Sequence, residues 1–352
     1  MNKKEKIILS FAAIITAMAA LAHYLHYNVV LAFAVISAAL AVLALVVGDA
    51  TEQLGKRMGP GATGVLQSAL GNLPELFVCI FALRAGLYKV VQAALIGSIL
   101  ANSLLVFGLA LFFGGIKNGT QVFKSGPPKM IATLMILAFA ALAIPTLANE
   151  MHTPAAAHIN TLNIFVAVVL LLIFIASLYF FIKGDKAIVP DKAGDQLSPA
   201  WSLPVTFLIL ALAGVGAAFV SDWFVEALQP AMQTLGINET FAGLVIVAIA
   251  GNAIENVVGI QLAVRNKMDY SVSVILNSSL QIALGLFPLL VLLSFVLGGA
   301  LLSFVLSPLL LVALAFAVIV SAFIVFDGES IWLEGLALIC LYCLIAAAFW
   351  WG

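Results

Sequence analysis

Along this chain long apolar runs alternate with short polar breaks. Each run is close to the roughly 20 residues that a helix needs to cross a bilayer. The breaks predict eleven spans, at 7–25, 28–48, 61–83, 90–113, 129–148, 156–181, 201–226, 240–264, 270–297, 301–326 and 331–350. No charge lies between 270 and 326, so the division there rests on Gly298-Gly299.

Composition turns this pattern into a class. Of 352 residues, 64% are hydrophobic and 9% charged, and the mean hydropathy is +1.21. A soluble domain carries roughly 25% charged residues. The chain is an integral membrane protein whose one required partner is the lipid bilayer. Its net charge of −1 points to no other partner. It has no basic patch for nucleic acid, and a homo-oligomer is compatible with the sequence. Cys79, Cys340 and Cys343 lie inside apolar spans and make no metal-type cluster; they read as small buried hydrophobes. Met1–Lys6 before an apolar run imitates a signal peptide. Ten further spans follow, so the first is read as a signal anchor.

Orientation comes from Lys and Arg. With the N-terminus inside, thirteen of the fifteen face the cytoplasm, and only Arg84 and Lys89 face outside. Eleven spans then put the C-terminus outside. The longest polar segment, with Gly184, Pro190, Gly194 and Pro199, reads as a flexible cytoplasmic linker. The compact chain without a long tail fits a bacterial cytoplasmic membrane.

The spans repeat. Gly-Asn-Leu-Pro-Glu at 71–75 returns as Gly-Asn-Ala-Ile-Glu at 251–255, an offset of 180. At the same offset 97–102 falls on 277–282, with Ser98 on Ser278 and Leu100 on Leu280. At an offset of 170, Thr51-Glu52 falls on Ser221-Asp222. Each half holds five spans, an odd number, so the two motifs cross the membrane in opposite directions. Inverted repeats place substrate near the midplane at their interface. The expected fold is all-α: a peripheral first helix at 1–27, a first repeat at 28–182, the linker at 183–200 and a second repeat at 201–352.

Glu75 and Glu255 are carboxylates in the middle of apolar runs, and an intramembrane carboxylate is a functional hypothesis by default. Gly71-Asn72 weakens its helix, and Pro74 lacks the N–H for the carbonyl of Leu70. Ser68, Asn72 and Glu75 share one helix face. The second copy has Gly251-Asn252 but Ile254 in place of proline, so a milder distortion is expected there. Partner spans add neutral oxygens from Ser98 and Asn102, and from Ser278 and Gln281. A calcium ion takes about six to eight oxygen ligands, and the shortage of His and Cys argues against a zinc or copper site. The ion-binding set is therefore Glu75, Glu255, Asn72, Asn252, Ser98 and Ser278, with Asn102 and Gln281 as additional ligands. Two glutamates match one divalent cation, and two protons neutralise them equally well. An empty, doubly ionised site costs about 2.5–3.5 kcal/mol per central charge, so loaded or protonated forms cross and the empty form does not. No cofactor is required beyond the transported Ca2+ and H+.

At these residues the chain resembles the calcium/proton antiporters, the cation-exchanger branch of the calcium/cation antiporter superfamily. The matching pieces are 71–76, 97–102, 251–255 and 278–283, with Ala50-Thr51-Glu52 and Asp327-Gly328-Glu329-Ser330 beside them. The resemblance runs from about Asn28 onward. It implies one extra helix plus two inverted five-helix repeats, with Glu75 and Glu255 binding calcium and protons in turn. It also implies a proton-path or gating role for Glu52, whose counterpart is Asp222. The chain departs from the family pattern at Asn256, where His is usual, at Asn277, where Gly is usual, and at Asp222, where Glu is typical. Its linker has three Asp and three Lys, where the family's is strongly acidic.

The leading reading is an antiporter exchanging calcium, or a similar divalent cation, for protons. Its alternative is a sodium-coupled exchanger on the same fold; Asn72 and Asn252 disfavour this, because such relatives carry Ser or Thr there. An intramembrane enzyme would show His-Glu-x-x-His or Gly-x-Gly-Asp, and neither is present. A channel is disfavoured by one acid per inverted repeat.

Overall fold

A computed structural model describes residues 3–25, 28–57, 70–183 and 201–351, without the side chains at 3–4, 181–183 and 253–256. Ser68 and the linker from 184 to 200 fall outside the described residues. The elements are α1 (Lys3–Tyr24), α2 (Val29–Gly55), α3 (Leu73–Arg84), α4 (Tyr88–Asn118), β1 (Gln121–Val122), α5 (Gly126–Glu150) and α6 (Ile159–Lys183). Then come α7 (Leu203–Leu235), α8 (Glu239–Gly251), α9 (Ala253–Val264), α10 (Met268–Leu297), α11 (Pro308–Phe326), β2 (Glu329–Ser330) and α12 (Trp332–Trp351).

Among the described residues nine helices are long and apolar enough to span a membrane. The expected count of eleven differs by two, and the two are the glutamate-bearing segments. One is broken between α8 and α9 at Asn252, and the other has α3 beginning just after Asn72. The break leaves α8 and α9 each shorter than a bilayer thickness, while the first glutamate-bearing segment is described only from residue 70 on; broken helices persist at membrane depth only where protein or a cavity covers them.

Several boundaries also move. The second span was expected to end at Gly48, but α2 runs on to Gly55 and takes in Asp49 and Glu52. Hydropathy ends where water begins, whereas helical hydrogen bonding continues past it. The tenth span was expected from 301, but α11 starts at Pro308, after the Ser307 N-cap. Proline fits that first position because its missing N–H has no helical acceptor there.

Burial sorts the helices. In α1 only 11% of the best spanning window is buried, against 83% in α4 and 67% in α10. Thus α1 is peripheral, packed on α2 and α7, and α4 and α10 form the centre. The central pair repeats the internal offset in detail. A π-helical turn occupies Ala101–Val106 in α4 and Ile282–Leu286 in α10. Phe107 and Phe287, 180 residues apart, are both fully buried. Helices α4 and α8 touch through glycines: a Cβ on Gly97 would stand 2.3 Å from Leu244 O, and one on Gly243 2.4 Å from Val90 O. Lipid offers apolar side chains no drive to associate, so close backbone approach carries more of the packing.

The ends of the molecule are stitched by irregular segments. Residues 301–306 form neither helix nor strand and bend at Phe304, with Leu302, Phe304 and Leu306 buried. Among the described residues no strand pairs with this segment, and side chains bond it instead. Gln92 Nε2 donates to Ser303 O (2.8 Å) and Val305 O (3.0 Å). Thr146 Oγ1 donates to Phe304 O (2.9 Å) and accepts from Leu306 N (3.0 Å). Asn163 Oδ1 accepts from Phe304 N (3.1 Å). At the lysine-rich end β1 pairs antiparallel with β2, Gln121 opposite Ser330 and Val122 opposite Glu329, a small departure from the expected all-α fold. Gly328 beside them has φ +82, which favours glycine.

Candidate functional site

The motif backbones break in the same way. Asn72 (φ −93, ψ 16) and Asn252 (φ −102, ψ 25) both leave helical geometry for the bridge region. The second distortion is therefore not the milder one. Pro74 lies in the first turn of α3, where its missing donor costs nothing, and Ile254 stands in the matching turn of α9 equally well. The break belongs to Gly-Asn, and proline only tolerates it.

Each break starts a new helix, and Glu75 lies in the first turn of α3. The helix dipole favours a negative charge there, typically by about 0.3–1 kcal/mol. Glu75 is buried, and its Oε1 accepts a hydrogen bond from Ser98 Oγ of α4. Gly251 of the second motif abuts it, so that a Cβ there would lie 3.5 Å from Glu75 Cβ. The two motifs, 180 positions apart in sequence, meet at this carboxylate.

A buried hydrogen-bond array extends from it. Asn252 Nδ2 donates to Ser98 Oγ (2.8 Å) and to Ala248 O (2.9 Å). Asn102 Nδ2 donates to Asn252 Oδ1 (3.3 Å) and Ser278 Oγ (3.0 Å). Beside them Ser103 Oγ and Ser279 Oγ are 3.0 Å apart. Asn102 Oδ1 is buried with no hydrogen-bond partner among the described residues. Such a buried acceptor costs stability unless something fills the gap.

The structure thus gathers Glu75, Ser98, Asn102, Asn252 and Ser278 into one network. Asn72 and Gln281 instead both line a groove with Leu76, Phe174 and Gly285. The side chain of Glu255 lies outside the described residues; its backbone belongs to α9. Glu52 stands at the lysine-rich end, exposed and paired with Lys56 at 2.7 Å. Asp222 lines a recess with Arg84 and Glu226 at the other end of α3. Neither joins the network. Among the described residues no three His, Cys, Asp or Glu side chains converge, so much of any cation shell here would be neutral oxygen.

Three positions had drawn no attention in the sequence. Ser103 and Ser279 each follow a residue of the array in sequence, which was their only signal. Asp49, half-buried in α2 three residues before Glu52, was hidden by ending the span at Gly48.

Comparisons with known proteins match this architecture. A family model described as sodium/calcium exchanger protein covers residues 28–183 and 205–351. The chain is 34% identical to the Ca(2+)/H(+) antiporter of Aphanothece halophytica, over 94% of this chain and 92% of that one. It is likewise 34% identical to the Ca(2+)/H(+) antiporter ChaA of Bacillus subtilis, over 92% of this chain and 93% of that one. The solved structure of native YfkE superposes with a TM-score of 0.84 at 32% identity, covering 98% of this chain and all of that one.

Proposed function

The chain belongs to the sodium/calcium exchanger protein family, and on that premise we propose that it exchanges calcium for protons across the membrane. It is a transporter and not an enzyme. Calcium and protons are its substrates, and no resident cofactor is needed. Glu75 and Glu255 bind the cation and its replacing protons in turn, and Ser98, Ser278, Asn102 and the motif asparagines shape the site. The repeats at 28–182 and 201–352 each supply one carboxylate, and access alternates between the two sides. The Lys/Arg distribution favours the N-terminus inside and the C-terminus outside a bacterial cytoplasmic membrane.

One observation carries this reading: Gly251 and Asn252 of the second motif lie against Glu75 and Ser98 of the first. A single ion there can be held by both repeats. Relatives named Ca(2+)/H(+) antiporter support the choice of ions.

The test is purified protein in liposomes, with labelled calcium and an imposed pH gradient. Calcium uptake should follow the proton gradient, and Glu75→Gln should abolish it. Uptake driven by a sodium gradient and indifferent to pH would replace this reading with the sodium-coupled one.

A further inference from the structure

We propose that Asn118 and Gln121 are positioning residues that fix the lengthwise position of α9, and with it Glu255, by holding the carbonyl of Ala263 from the opposite repeat. The proposal rests on the reading of Glu75 and Glu255 as cation ligands carried by α3 and α9.

The observation is a symmetric pair of anchors between the repeats. Leu83 lies in the last turn of α3 and Ala263 in the last turn of α9, at the internal offset of 180, and both are fully buried. Each carbonyl accepts from the N–H three residues on, Gly86 N at 3.0 Å and Asn266 N at 2.9 Å. There the chain turns with φ +81 and φ +58, as left-handed residues do at helix ends. Each carbonyl then accepts again from where the other repeat's central helix ends. After α10, Ala300 N donates to Leu83 O at 3.1 Å. At the end of α4, Asn118 Nδ2 and Gln121 Nε2 both donate to Ala263 O at 3.2 Å. Main chain anchors α3, whereas side-chain amides anchor α9, so the second anchor can be removed by substitution.

The breaks explain why these ends need holding. Helices α3 and α9 each begin at a motif asparagine, so neither inherits its position from a continuous span. Glu75 and Glu255 precede the anchored carbonyls by eight residues, about 12 Å of helix. A short helix moves as a rod, and an end that slips carries its glutamate along. Calcium takes oxygens at about 2.3–2.6 Å, so a slip of roughly a few tenths of an ångström spoils a shell drawn from two helices. Gln121 is itself confined. It is buried, and a Cβ on Gly114 of α4 would stand 2.6 Å from its Nε2. That Cβ meets the end of a side chain and not backbone, so Gly114→Ala dislodges the amide and leaves α4 intact.

The experiment measures the half-saturating calcium concentration and the maximal rate of pH-driven uptake in proteoliposomes. Gln121→Met keeps the volume and removes the donor; Gly114→Ala keeps the donor and pushes it aside. Each should raise half-saturation about 3–10-fold, the worth of one ordinary hydrogen bond, with the maximal rate per folded molecule little changed. The double variant should go no further, because both changes act on the same amide. Impaired folding alone would lower the maximal rate and leave half-saturation in place. A second readout needs no transport. With the exposed Cys340 and Cys343 replaced by Ala, spin labels at the exposed positions Phe113 of α4 and Val258 of α9 report the distance between the two helices. Its distribution should broaden in Gln121→Met. Unmoved half-saturation in both variants, or an unchanged distance distribution, would overturn the proposal. If the unsubstituted protein takes up no calcium under a pH gradient, the exchange reading fails, and the spin-label distances alone decide whether the amides hold α9.

Discussion

Asn72 and Asn252 hold the same place in the two motif copies and have nearly the same backbone dihedrals, yet their side chains are used differently. Asn252 is bonded to Ala248, Ser98 and Asn102 at the centre of the molecule. Asn72 makes no capping bond and, with Gln281, lines a groove walled by four leucines, Phe174 and Gly285. Backbone geometry follows the Gly-Asn pair, so duplication preserved it. Side-chain use depends on neighbours, and those diverged: Asn102 has Ile282 as its counterpart, so the second half lacks the amide that would repeat the array.

This asymmetry can be probed by ordered substitutions. The largest effect is expected at the shared centre, where Glu75→Gln should remove pH-driven calcium uptake in liposomes altogether. Next comes the α4–α8 contact. Gly97→Ala drives a Cβ into the Leu244 backbone, and overpacking of this kind costs about 1–3 kcal/mol. A lowered melting temperature in detergent should report it, with a smaller loss for Ala substitution at Gly251, whose nearest neighbours stand at ordinary contact distance. The asparagines give the direct contrast. Asn252→Ala breaks a buried array and should destabilise by about 1–3 kcal/mol, whereas Asn72→Ala should cost well under about 1 kcal/mol; chemical denaturation of the two side by side decides it. Smallest of all is Glu52→Gln, which removes an exposed ion pair with Lys56 generally worth about 0–1 kcal/mol. Its melting temperature should be unchanged. A marked fall in transport by that variant would assign Glu52 a role in the proton path, as the family resemblance implies.

Much of the architecture was legible because bilayer crossing needs only length and apolarity, which the runs state openly. The repeat was legible too, since Gly71–Glu75 and Gly251–Glu255 differ at just two positions. Where α2 ends was not, because Thr51, Glu52 and Gln53 are polar and still helical. The irregular stretch at 301–306 reads as apolar span; its backbone is bonded without a helix by Gln92, Thr146 and Asn163, remote in sequence, and by the nearer Ser294 and Ser303. The residues that the structure brings together were picked out by their polarity in apolar surroundings. Their division into network and groove was not readable, because it depends on which helix face meets which neighbour. The orientation of Asn252 depends on a single carbonyl, that of Ala248, which no residue-type pattern encodes.

The irregular segment at 301–306 has a mechanical consequence. It follows α10, yet it is fastened to α4, α5 and α6 through Gln92, Thr146 and Asn163. At the opposite rim the β1–β2 pair and the bond from Lys124 N to Asp269 Oδ1 (2.6 Å) again tie segments before the linker to segments after it. A body laced together at both rims does not part along that seam like a pair of jaws. Under the proposed alternating access, exposing Glu75 to either side would require other helices to slide over a laced core. The amide hydrogens of 302–306, although outside any helix, should be among the slowest in the protein to exchange with solvent.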